Sequence, residues 1–125
     1  MPSSNCPFCD PPATAIIFSE ELVFAMWDGF PVNPGHALII PQRHIPSLDA
    51  ITAEENTALF GLLEEVKRHV IDRYKPDGFN IGINQGTAAG QTIPHLHVHL
   101  IPRYRGDVSD PTGGVRGVIP HKANY

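Results

Sequence analysis

Short apolar runs separated by turn-rich breaks, with one long stretch of helical periodicity, set the architecture of this chain. Ala15 to Phe18 and Leu22 to Trp27 are apolar and flank Ser19-Glu20-Glu21, which predicts a hairpin. Asp28-Gly29-Phe30-Pro31-Val32-Asn33-Pro34-Gly35 is dense in turn residues and predicts a loop. His36 to Ile40 reads as a third strand, stopped at Pro41. Thr52 with Glu55 forms a capping box, and Leu59, Leu62, Leu63, Val66 and Val70 recur at helical spacing behind it. That helix should end near Tyr74, before Pro76 and the Asp77-Gly78 turn, with Glu54, Glu64, Lys67 and Arg68 largely on its wet side. Phe79 to Asn84 predicts a strand, Gln85 to Thr92 a glycine-containing loop, and Pro94 to Arg103 a last strand. About five strands and one long helix, not alternating βαβ, make an α+β fold: an antiparallel sheet with the helix across one face.

Bulk composition narrows the class. The 125 residues fit a single domain, 1–125, around one core, with an irregular tail over 106–125. A net charge of −4, from 13 acidic and 9 basic residues without a run of either sign, argues against general nucleic-acid binding. No apolar stretch approaches the ~20 residues that span a bilayer. Met1-Pro2-Ser3-Ser4-Asn5-Cys6 lacks a basic segment followed by an apolar one, and the two cysteines suit a reducing compartment, so a cytoplasmic protein is expected.

His95-Leu96-His97-Val98-His99 is the most informative stretch. On a strand the three imidazoles would share one face, about 7 Å apart, while Leu96, Val98 and Leu100 face the core. Structural or exposed histidines are the plain alternative, but a row of three on a core-forming strand is costly unless it does chemistry. Two chemical readings follow. Alternate histidines chelate one catalytic metal, or the central His97 is a nucleophile whose flanking histidines handle protons and charge.

The surrounding residues favour the nucleophile. Gly90-Gln91-Thr92-Ile93-Pro94-His95-Leu96-His97-Val98-His99-Leu100-Ile101-Pro102-Arg103 closely resembles the signature of the histidine triad nucleotide hydrolases and transferases. Pro34-Gly35-His36-Ala37-Leu38-Ile39-Ile40-Pro41 resembles the family's earlier strand with its Gly-His step. Asn84-Gln85-Gly86 with Gly90-Gln91-Thr92 resembles its phosphate-contacting loop. The likeness extends to about Asp107.

The resemblance implies that His97 attacks the α-phosphorus of a nucleoside phosphate and forms a nucleotidyl-histidine, which water then cleaves. It further implies that the other His97 ring nitrogen bonds the carbonyl of His95, that His99 contacts phosphate and helps protonate the leaving group, and that His36 supports the triad. Asn84, Gln91 and Thr92 would hydrogen-bond phosphate oxygens or the leaving group, and Gly86 and Gly90 would admit backbone N–H groups. Asp28 would hold the ribose hydroxyls, although Asp28-Gly29 is also an ordinary turn. No metal bound by the triad is required. The motifs look closer to the branch that splits dinucleoside polyphosphates, such as diadenosine polyphosphates, than to the phosphoramidases of the same family. A homodimer with one continuous sheet is implied as well. A triad-ligated metal hydrolase and a non-catalytic nucleotide-binding module are the alternatives of other classes.

Cys6-Pro7-Phe8-Cys9 fits a thioredoxin-like motif poorly, since Asp10-Pro11-Pro12 follows it rather than a helix. Two thiolates at that spacing are half of a tetrahedral zinc site. The resemblance implies that His44, in Pro41-Gln42-Arg43-His44, and His95 complete a structural zinc centre that ties segment 1–12 to the sheet. Buried unliganded thiols are the alternative. His69 and His121 are expected at the surface, and Arg116 either reaches a phosphate, across a dimer, or is solvated.

Overall fold

The computed structural model describes residues 5–124, so the reading of Met1 to Ser4, and with it the start of segment 1–12, lies outside the described residues. Five strands form one antiparallel sheet: β1 (Ile16–Ser19), β2 (Val23–Trp27), β3 (Ala37–Pro41), β4 (Gly78–Gly82) and β5 (Val98–Arg103), in the order β1-β2-β3-β5-β4. Helix α1 (Ala53–Tyr74) lies across one face. Its Thr52 cap and Glu55 form the reciprocal box that the sequence signals, and Lys75 closes the other end in the left-handed conformation. No helix among the described residues is long and apolar enough to cross a membrane.

Both faces of the sheet are covered, which explains why β2 and β3 read as unbroken apolar runs. Val23, Ala25, Ala37, Ile39, Val98 and Leu100 pack under Leu59, Leu62, Leu63, Val66 and Val70 of α1. Each such leucine contributes about 1.5–3 kcal/mol on burial. On the opposite face Phe24, Met26, Leu38 and Ile40 pack against Cys6 and Phe8 from the N-terminal segment.

Three details depart from expectation. β5 begins at Val98, not Pro94: Pro94 has no N–H to give a ladder, the His95 N–H turns back to Ile93 O (2.8 Å), and the Leu96 N–H reaches Ile45 O (2.7 Å). His95 and His97 therefore ride an irregular lead-in pinned to the chain after β3. Pro41 pairs with Val23 as the last residue of β3 rather than standing beyond it. Finally, His69 is half-buried, its ring 5.6 Å from Phe18 and 6.0 Å from Trp27 under the first hairpin. Its helical position, one before the buried Val70, carried that information. His121 is exposed, as expected.

Candidate functional site

Register places His99 on the sheet face away from α1. His99 lies opposite Leu38 of β3 and beside Gly82 of β4, whereas Leu96, Val98 and Leu100 turn to the helix. His97 Nδ1 lies 2.8 Å from the His95 carbonyl oxygen. A carbonyl only accepts, so Nδ1 carries a proton, and in the neutral tautomer of the ring Nε2 holds the lone pair. The His97 ring is 8% exposed, with the Phe8 ring 4.9 Å away and the His99 ring 5.0 Å away. The His97 and His99 rings thus stand closer than the spacing of a regular strand would place them.

A second chain of hydrogen bonds sets His99. The Val32 N–H donates to His36 Nδ1 (3.1 Å), which makes Nε2 the protonated atom of a neutral His36. That N–H reaches His99 Nδ1 at 3.0 Å, with Asp28 Oδ2 3.3 Å to the side. His99 therefore accepts at Nδ1 and carries its proton on Nε2. Burial holds His36 below the ordinary imidazole range against the pull of Asp28. It lowers His99 to about 4, with further contributions from His97 and His36 and against the pull of Asp28. Asp28 is thus folded into the histidine pair, its Oδ1 accepting from the Phe30 N–H (2.8 Å) in the turn. Asp28, His36 and His99 also gather donor atoms within 4.8 Å, but the two imidazoles already bond each other through the atoms a cation would take.

A cavity of about 440 Å³ opens over His97 and His99. Phe8, Met26 and Leu38 supply apolar walls, while Asp28, Asn84 and Thr92 supply polar ones. Gly90 also lines it, at φ +93°, a conformation a side chain would strain. Gln91 does not line this cavity. Its amide donates to Pro46 O (2.9 Å) and Ile93 O (3.1 Å) and accepts from the Gly86 N–H (2.9 Å), so it braces the loop and occupies the Gly86 donor. The walls from Phe8 and Met26 were missing from the sequence reading. The signal for them was the double-sided apolar run of β2, which requires a cover on its second face.

His95 turns the other way. Its Nε2 is 2.8 Å from Pro41 O and must donate, which leaves Nδ1 unprotonated. That Nδ1 stands 3.4 Å from Cys6 Sγ, 3.6 Å from Cys9 Sγ and 3.1 Å from His44 Nδ1, and Cys9 Sγ is 3.1 Å from the same His44 nitrogen. The four donor atoms lie within 4.8 Å of one another, and the cysteines are not joined in a disulfide. These four side chains are able to hold a metal ion. Burial lowers His95 from the ordinary imidazole range, in keeping with a neutral ligand. His97 belongs to neither donor cluster, so the three triad histidines do not converge on one ion. The Arg116 guanidinium donates to Lys122 O and Ala123 O within the tail.

A helix-backed antiparallel sheet that presents a tautomer-fixed histidine to a cavity of about 440 Å³ defines a class of small histidine-centred domains. Residues 12–106 match the HIT domain, and the chain belongs to that family. It is 39% identical over 100 residues to the asymmetrical bis(5'-nucleosyl)-tetraphosphatase of Schizosaccharomyces pombe, and 37% over 108 residues to the AP-4-A phosphorylase of Mycobacterium tuberculosis. These alignments cover 80% and 84% of this chain but 55% of each relative, so the chain spans about half the length of those proteins. Among solved structures, a HIT family protein from Bacillus subtilis superposes with TM-score 0.77 at 36% identity, covering 83% of this chain and 77% of that one. A Zn-bound histidine triad family protein from Mycobacterium smegmatis superposes with TM-score 0.75 at 33% identity, covering 85% and 80%.

Proposed function

We propose that this chain hydrolyses nucleoside phosphates at the α-phosphate through a nucleotidyl-His97 intermediate, with dinucleoside polyphosphates as the substrate class. The observation that carries the reading is the His97 Nδ1–H bond to His95 O, which leaves an unprotonated Nε2 in a buried ring at the cavity wall. Nε2 attacks phosphorus, an N–P bond forms and the bridging P–O bond to the β-phosphate breaks. His99, with its proton on Nε2, hydrogen-bonds the departing oxygen and helps neutralise it. Water then attacks phosphorus, the N–P bond breaks with its electron pair returning to Nε2, and the water proton is released, giving a nucleoside monophosphate. Asn84 and Thr92 hold phosphate oxygens, and the apolar walls take the base. Asp28 both orients the histidine pair and faces the cavity where a ribose would bind. The names of the relatives from fission yeast and Mycobacterium tuberculosis support the substrate class.

The metal in this reading is zinc, held by Cys6, Cys9, His44 and His95. A tetrahedral ion with bonds of about 2.0–2.3 Å needs donors about 3.3–3.8 Å apart; four of the six donor pairs stand 3.1 to 3.6 Å apart, and all six lie within 4.8 Å. All four positions would be protein ligands, so the ion braces the fold rather than binding substrate. A cytoplasmic homodimer completes the proposal. The edge position of β4 and the exposed Phe60 and Ile71 on α1 support an assembly surface, and two cysteines not joined in a disulfide suit a reducing compartment.

The test is mass spectrometry of protein quenched during turnover of diadenosine triphosphate. An adenylyl group on the peptide holding His97, absent in His97→Ala, is expected, together with loss of at least about 10³-fold in kcat. Turnover by His97→Ala at near the parent rate would remove His97 as nucleophile.

A further inference from the structure

A second cavity of about 520 Å³ adjoins the first, on the far side of His99. His99 and Asn84 line both. Its floor is Ile101 and Asn80 on the sheet face that carries His99, and its outer wall is the tail turn Gly114–Val118, through Val115 and Val118. The tail sits tightly there: a side chain added at Gly114 would stand 3.1 Å from Asn80 Nδ2. Val115 and Val118 are 61% and 79% exposed, although a chain that folds back on itself had the opportunity to bury them. Apolar side chains left facing a concave surface beside a reactive centre are characteristic of a ligand wall.

The chemistry of the walls selects the ligand. No lysine or arginine lines this cavity. Arg103, the nearest guanidinium along β5, is committed to Asp107 (2.8 Å) and Asn80 Oδ1 (2.6 Å). The two imidazoles at its inner end, His36 and His99, are held neutral by burial. A terminal phosphate would lose water here and gain no counter-charge. A purine has the complementary character: flat apolar faces for Ile101 and the valines, and a polar edge for the Asn80 NH2 group and the Asn84 amide. The volume lies within the range of small-molecule sites, about 300–1,000 Å³.

We propose that this cavity seats the nucleoside of the leaving group, so that the tail turn with Val115 and Val118 selects substrates bearing a second base over those ending in phosphate. The proposal rests on the reading of His97 as nucleophile. With the α-phosphorus at His97 and the breaking bridge at His99, the departing nucleoside diphosphate passes Asn84 and lays its base between Ile101 and the tail. The selecting wall belongs to a segment beyond the part that matches the family domain.

The test compares kcat/KM for diadenosine triphosphate and ATP at fixed ionic strength and magnesium, in the parent and in Val115→Asp/Val118→Asp. Val115→Thr/Val118→Thr, nearly isosteric, serves as a second variant, with thermal unfolding to confirm the fold of each. The parent should prefer the two-headed substrate by about tenfold or more, the worth of one well-packed base. That ratio should collapse in the Asp variant and fall in the Thr variant. A parent ratio near one, a preference for ATP, or a ratio unmoved by both variants overturns the proposal. Adenylyl-His97 trapped in the same reactions shows that the nucleophile reading stands even if the ratio fails. Its absence with both substrates ends that reading and the subsite with it.

Discussion

The carbonyl oxygen of His95 accepts a hydrogen bond from His97 Nδ1 at 2.8 Å, while the His95 ring turns away to lie within 3.6 Å of two thiols and His44. One residue thus belongs to two sites. Its ring serves the donor cluster and its backbone fixes a proton on the His97 imidazole.

Loss of the cluster should be felt in both places. In Cys9→Ser, metal content measured by elemental analysis of the purified protein should fall to background. Thermal unfolding should come several degrees lower, since about 1 kcal/mol moves a domain of this size by roughly 3–6 °C. The adenylylation rate of His97 should drop as the His95 backbone loosens. Full metal content in the variant would exclude Cys9 as a ligand.

Stability should fall on acidification, for reasons that can be signed. His99 is held down to about 4 in the folded chain against 6.5 when unfolded, so the unfolded state binds its proton first. The stabilisation is complete above pH 6.5 and is lost as pH falls toward 4; His36, also lowered by burial, adds in the same direction. Glu55 is lowered to about 2 by Arg43, with Thr52 assisting, so its contribution is present above pH 4.5 and lost as pH falls toward 2. Urea midpoints between pH 7 and 4 should decline, and His99→Asn should flatten part of that decline. An identical slope in the variant would refute the assignment.

Arg43→Ala should destabilise the fold although Arg43 is largely exposed. Glu55 is 3% exposed and receives the guanidinium at 2.9 and 2.8 Å. Removing the arginine leaves a buried carboxylate with the Thr52 cap alone, at a cost of about 1.5–3 kcal/mol. Urea unfolding measures this, and Arg43→Ala/Glu55→Gln should recover part of the loss.

Gly35→Ala should be costly out of proportion to one methyl group. Gly35 has φ +88°, and an added Cβ would meet Tyr74 at 2.9 Å and Pro102 at 3.2 Å. Strain and crowding together should exceed about 1 kcal/mol in chemical unfolding. Because His36 follows directly, kcat should fall with it. Unchanged stability would show that the loop relaxes freely.

Much of this was legible from residue patterns. The α1 periodicity and its capping box specified both the helix and its buried face, and the alternation through Leu96, Val98 and Leu100 specified which way the histidines turn. What pattern could not supply were contacts between segments remote in sequence. Gln91 matches a family phosphate ligand, yet its amide is taken by Pro46, Ile93 and Gly86. Asp28 reads as a turn or a ribose ligand, and its approach to His36 depends on how the 28–35 loop closes. His69 looked exposed because β1 and β2, which supply Phe18 and Trp27, lie far away along the chain.

The Arg43–Glu55 clamp joins the first turn of α1 to the short segment that presents both the His44 ring and the Ile45 carbonyl holding Leu96. Helix start, ligand corner and the approach to the reactive strand are therefore one mechanical unit. Fraying at the front of the helix would spread the four donor side chains and unlatch the histidine segment in the same event. Heat should therefore inactivate this protein before its sheet comes apart.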